Sequence, residues 1–210
     1  MKKFLCVATI AALTTLGTAA FAEAPKMHGR AALTYISPSD NIEIDGDKVD
    51  SSIDSALGFG LGWEYRFNER VGLDINWFYA KHDVVIEGDK FDSTKFMPIT
   101  VGANFHLTPD KKVDFFVGPL LGYVLYNDLE NSPLTVKLDN DIVYGANLGV
   151  EYPFKDKVAF YASLKYLKAG ADAKVQVEES ALPTRAKVDV ADGKVDVDPL
   201  VLQVGVSFRY

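Results

Sequence analysis

The chain has 210 residues, with 22 Lys and Arg against 29 Asp and Glu and a formal charge of −7. Such an anion lacks the cationic face on which phosphate-backbone binding depends, so nucleic acid is excluded as the expected partner. Its one cysteine, Cys6, sits near the N-terminus, which leaves no disulfide framework and no thiolate chemistry for the body of the chain.

Residues 1–22 read as an export signal. Met1-Lys2-Lys3 is basic, "FLCVATIAALTTLGTAA" is apolar, and Ala20-Phe21-Ala22 is a small-residue cleavage site before Glu23. The apolar run is short for a membrane-spanning helix. The expected organisation is a cleaved signal peptide over 1–22 and one domain over 23–210, exported from the cytoplasm.

Beyond Glu23 the dominant period is two, the period of strands. Eight strands are expected, over about 28–37, 55–67, 70–85, 94–107, 112–127, 140–154, 157–171 and 195–210. Asn68-Glu69-Arg70, Thr108-Pro109-Asp110-Lys111 and Lys155-Asp156 are tight turns. The other connectors, about 38–54, 86–93, 128–139 and 172–194, are long and polar. Short turns at one end and long loops at the other predict an all-β fold, an eight-stranded antiparallel up-and-down transmembrane β-barrel.

The two faces of these strands differ. One carries Leu57, Phe59, Leu61, Trp63 and Tyr65, then Leu73, Ile75, Trp77 and Tyr79, and so on to Leu202, Val204, Val206, Phe208 and Tyr210. The other is small and mixed, with Gly58, Gly60, Gly62, Gly118 and Gly149 beside Glu64, Asp74, Asn147 and Gln203. The interior of an eight-stranded barrel holds a limited set of side chains. The bulky face cannot fit there, so it points outward into lipid. The terminal strand must pair with the first to close the barrel, because an open edge is not tolerated in a bilayer.

Several stretches resemble the outer-membrane protein W (OmpW) family: "GRAALTYISPSD" at Gly29–Asp40, "MPITVGANFHL" at Met97–Leu107, "FFVGPLLGYVLY" at Phe115–Tyr126 and the closing "VDVDPLVLQVGVSFRY". Leu200 stands where that family commonly has an aromatic. The resemblance implies an eight-stranded barrel in the outer membrane of a Gram-negative bacterium, with a narrow apolar interior that admits small hydrophobic molecules. It also implies partners: outer-membrane lipids and lipopolysaccharide around the wall, and barrel-assembly machinery that reads the C-terminal strand.

The inward residues sort by height. Arg30, Glu64, Arg66, Asp74, His106, Asp114, Glu151 and Arg209 fall near the periplasmic rim and carry both signs. Buried charges must be paired, so a charge plug is expected there. Above it, Ile36, Phe78, Phe96, Leu120, Val124, Val143, Leu167 and Val201 are apolar, either as core filling or as a ligand pocket open to the outside. Pro98 and Pro119 fall on the fourth and fifth strands, Pro38 and Pro199 on the first and eighth. Proline removes a ladder donor, so a lateral opening is expected between each pair, unless the prolines merely end the ladder. Filling the pocket with Gly118→Phe is expected to block passage. His28, His82 and His106 are expected at different heights, which gives no shared metal. The outer face shows no catalytic constellation, and no cofactor is expected. The rival reading is a structural or adhesive barrel whose loops bind a partner and whose lumen conducts nothing.

Overall fold

The computed structural model describes residues 26–209 apart from 40, 45–46, 49–50, 87–88, 110, 132–133 and 179–186. The signal peptide expected over 1–22 and the terminal Tyr210 lie outside the described residues. In chain order the strands are β1 (Lys26–Ser37), β2 (Asn41–Ile44), β3 (Asp47–Lys48), β4 (Ser51–Ile53), β5 (Ala56–Arg66), β6 (Val71–Ile86), β7 (Asp89–His106) and β8 (Asp114–Leu125). They continue with β9 (Leu129–Asn131), β10 (Leu134–Leu138), β11 (Asp141–Lys155), β12 (Val158–Lys168), β13 (Gly170–Glu178), β14 (Lys187–Asp196) and β15 (Leu200–Arg209).

Eight of these close on themselves in the order β1, β5, β6, β7, β8, β11, β12, β15 and back to β1, every pair antiparallel. The closing ladder runs from His28 opposite Arg209 to Ser37 opposite Leu200. All eight expected barrel strands are present. Their ends shift by a few residues, most for the fourth, which begins at Asp89 rather than near 94, and the eighth, which begins at Leu200 rather than near 195.

The short turns are tight for local reasons. The Asn68 carboxamide oxygen accepts from the Arg70 and Val71 amides at 2.7 and 2.8 Å, an Asx turn that folds the backbone back without help from elsewhere. Thr108 Oγ1 accepts from the Phe115 amide at 3.0 Å and donates to the Val113 carbonyl at 2.8 Å, tying the next turn.

The long connectors differ from the sequence expectation. They are not loops throughout. β3, β2, β14, β13, β10 and β9 form a six-stranded sheet beyond the barrel, and β4 pairs with the upper end of β6. In β13, Ala171 and Ala173 are buried while Asp172 and Lys174 are exposed. The alternation is there, but its outer face meets water, so it carries charge and not the apolar band that marks the barrel strands.

The wall is apolar outside. Leu33 and Leu57 are 74% and 78% exposed, and Trp63, Leu148, Phe160, Tyr166 and Val204 are exposed with them. Exposure of this extent around a closed wall exceeds any ordinary surface patch and fits hydrocarbon as the solvent. The core lies inside, in layers described next.

Candidate functional site: the layered lumen

The lowest layer is built from like charges that the register places face to face. Glu64 on β5 stands opposite Asp74 on β6, and Asp114 on β8 opposite Glu151 on β11. Such pairs repel. An arginine clamps each. Arg30 donates to Asp74 Oδ1 at 2.6 Å, to Glu64 Oε2, and through Nη2 and Nε to Glu151 Oε1 at 3.0 and 3.1 Å. Arg66 donates to Asp114 Oδ2 at 3.1 Å and to Glu151 Oε2 at 2.9 Å. His106 presents Nδ1 to Asp114 at 2.7 Å and Nε2 to Glu64. Arg209 reaches Glu151 at 3.8 Å. Every charged residue expected in the base therefore enters one network, and all but Arg209 are buried. Gly72 makes room for it: a Cβ there would lie 2.2 Å from Glu64 Oε1.

Two aromatic residues absent from the sequence reading belong to this layer. The Arg30 guanidinium lies 5.2 Å from the Phe116 ring centre and 4.8 Å from that of Tyr161. The alternation in "DFFVG" assigns Phe116 to the inside and Phe115 to the outside, so parity alone was the available signal. The histidines also differ from expectation. His28 and His106 share the base, with His28 Nδ1 3.4 Å from Glu151, and only His82 lies higher. His28, Glu64 and Glu151 present ligand atoms within 4.8 Å of one another. Arg30 and Arg66 already occupy both carboxylates, and a cation there would face two guanidinium charges.

A polar layer follows. Lys165, fully buried, donates to Asn147 Oδ1 at 3.2 Å, and Asn147 donates to Asn104 at 3.1 Å. Tyr161 donates to Ser163 at 2.7 Å, and Gln203 Nε2 donates to Thr34 Oγ1 at 3.2 Å across the closing strands.

Above it, Ile36, Phe78, Phe96, Leu120, Val124, Val143, Leu167 and Val201 form one buried cluster with Ala56, Ala80 and Ala169. These are the eight apolar residues singled out from the sequence. Six of them, Ile36, Phe78, Val124, Val143, Leu167 and Val201, have no exposure at all, so the layer is closed to water in this conformation. Tyr126 packs on this cluster and on a second one of Ile53, Ala173, Val195 and Val197, which carries the apolar interior up into the outer sheet.

The prolines act differently from the expected lateral openings. Pro38 and Pro199 lie just beyond the last β1–β15 pair, Ser37 with Leu200, and only end that ladder. Pro98 pairs with Val124 on its β8 side; its break faces β6, where Phe78 and Tyr79 drop out of the register. Pro119 lies lower, and its break faces β7 at Ala103 and Asn104. A proline lacks its donor toward one neighbour only, so two prolines on adjacent strands need not open the same seam. The lower break is not a gap: a Cβ on Gly118 would lie 1.6 Å from the Ala103 carbonyl oxygen. Gly118→Phe therefore cannot serve as a pocket filler, because the neighbouring backbone leaves no room for any side chain.

A closed eight-stranded barrel with an apolar outer wall, tight turns at one end and a charged base defines an outer-membrane β-barrel protein. The profile of the OmpW family matches residues 23–210, and the chain belongs to that family. No curated protein sequence matches it. Among solved structures it is similar to the outer membrane protein OprG from Pseudomonas aeruginosa, with 22% identity over 90% of this chain and 97% of that one and a TM-score of 0.77. It is also similar to the outer membrane protein AlkL, with 16% identity, 87% and 90% covered and a TM-score of 0.62. Escherichia coli outer membrane protein W follows, with 16% identity, 90% and 100% covered and a TM-score of 0.57.

Proposed function

We propose that this barrel admits small apolar solutes from outside the cell, as the family resemblance implies, and releases them sideways into the membrane. The carrying observation is the wholly apolar layer above a base of paired charges. A solute entering from above parts the side chains of the Phe78–Phe96 layer and meets the charged network below, where an apolar molecule gains nothing. The wall beside this layer is weakest between β6 and β7, where pairing lapses at Phe78 and Tyr79. That seam, and not the one between β7 and β8, is the proposed exit. Export by the leader and recognition of the terminal strand by assembly machinery belong to the same reading.

The test is uptake of a hydrophobic fluorescent probe by cells, at matched barrel abundance and against an empty-vector strain. Pro98→Ala restores a donor at the exit seam. A regained hydrogen bond is worth about 0.5–1.5 kcal/mol net, so stability rises slightly while uptake falls. Pro119→Val acts on the tight lower contact and leaves uptake unchanged. Wild-type uptake at the empty-vector level removes the transport reading.

The ordered six-stranded outer sheet favours a second reading, an adhesive or structural barrel that conducts nothing. It predicts no change in uptake from either variant. Both readings share the closed base, for which planar-bilayer recordings are expected to show little ionic conductance. A conductance like that of a large water-filled porin would reject the plug.

A further inference from the structure

Lys81 on β6 and Lys95 on β7 stand directly opposite each other in the ladder. Both are exposed. Directly opposed side chains have Cβ atoms only about 4.5–5.5 Å apart, and like charges so placed are destabilising. Their height is informative. On the same outward face below Lys81 come Tyr79, Trp77, Ile75 and Leu73, and below Lys95 come Met97, Ile99 and Val101. The lysine pair is thus the first charged level above the apolar band, where lipid headgroups begin.

Asp83 attracts Lys81 through space but closes no ion pair with it, because its direct partners lie elsewhere. Asp83, two residues along the same face, accepts from Lys90 Nζ and Ser93 Oγ, each at 2.7 Å, and these donors hold its carboxyl below the usual aspartate range. Lys168, just above Tyr166 on β12, has Asp198 as its partner. Among the described residues neither Lys81 nor Lys95 has a carboxylate within ion-pair distance. Two ammonium groups thus stand opposed at one place on the wall, with no direct ion pair to either among the described residues.

We infer that Lys81 and Lys95 together bind a phosphate group of the phosphorylated glycolipid of the outer leaflet. A phosphate offers several acceptor oxygens and enough negative charge for two ammonium groups, so its arrival turns a repulsive pair into a bridged one. A lipid-borne phosphate fits better than a free one. Its acyl chains lie along Trp77, Tyr79 and Met97 directly beneath, whereas a free ion meets only two exposed charges that salt screens. This site stands on the β6–β7 register and does not depend on the uptake reading.

The test uses the full barrel folded in detergent free of endogenous glycolipid, with folding checked by heat-modifiable mobility on gels. Binding of diphosphorylated lipid A, dephosphorylated lipid A and inorganic phosphate is compared by native mass spectrometry. Wild type is expected to prefer the diphosphorylated lipid. Lys81→Ala with Lys95→Ala should weaken that binding about tenfold, the equivalent of a single charge-assisted contact, and should abolish the preference. Lys81→Arg with Lys95→Arg should retain it, and Lys168→Ala should change nothing. If the alanine pair fails to fold, Lys95→Gln alone carries the comparison. Equal binding of both lipids by wild type, unchanged binding by the alanine or glutamine variants, or inorganic phosphate bound as tightly as lipid A would each overturn the assignment.

Discussion

Arg30→Ala is expected to destabilise the folded barrel by roughly 3–5 kcal/mol, the cost of leaving buried charges without their partner. Arg30 is 4% exposed and bridges Glu64, Asp74 and Glu151. Its removal strips compensation from the opposed Glu64–Asp74 pair, which the register keeps together, and from the Phe116 and Tyr161 faces. Arg30→Lys should recover only part of the loss, because an ammonium cannot span three carboxylates and two rings with the reach of a guanidinium fork. The exposed pair Lys90–Asp83 provides the contrast: Lys90→Ala should leave the unfolding midpoint unmoved. Urea unfolding in lipid vesicles measures both. A change below about 1 kcal/mol for Arg30→Ala, the size of a surface pair, would show that the base is held by packing and not by its charges.

Leu148→Arg is the second large effect, at about 2–4 kcal/mol for a cation near the middle of the wall. Leu148 is 52% exposed and pairs with Val117 and Leu164, well away from either rim. Leu148→Ala removes little, since lipid closes over the space. One residue on, Gly149 fails for a different reason: a Cβ there would lie 2.1 Å from the Phe116 ring, so even Gly149→Ala displaces the roof of the charged base. Cost at 148 should follow charge, and cost at 149 should follow size. Equal stability of Arg and Ala at 148 in the same vesicles would reverse the assignment of faces.

These contrasts show which features a sequence of this kind exposes. Barrel strands are legible because lipid demands an apolar residue at every second position; Leu57, Phe59, Leu61 and Trp63 cannot be read another way. The base is legible because parity and height put Arg30, Glu64, Asp74 and Glu151 at one level. β13 and β14 are not, because water outside places charge at the outward positions, as at Asp172 and Lys174, and such charge reads as loop composition. Seam geometry is also hidden. The side on which Pro98 or Pro119 lacks its donor depends on pairing phase, which a one-residue shift reverses and composition does not record. The clamping of two acidic pairs by two arginines needs the register for the same reason.

The ladder between β1 and β15 has a consequence in time. Gln203 and Thr34, bonded across it, are 169 residues apart in sequence. β1 is made first and β15 last, so the earliest strand waits through nearly the whole of synthesis and export with one hydrogen-bonding edge unmet. Waiting edges of this kind seek any available strand, and the exposed Leu33 and Tyr35 on β1 make the mispairing sticky. A chain cut short anywhere before Leu200 is therefore not a smaller barrel. It is an open sheet with edges at β1 and at the last barrel strand made, and its fate is capture or degradation rather than reduced activity.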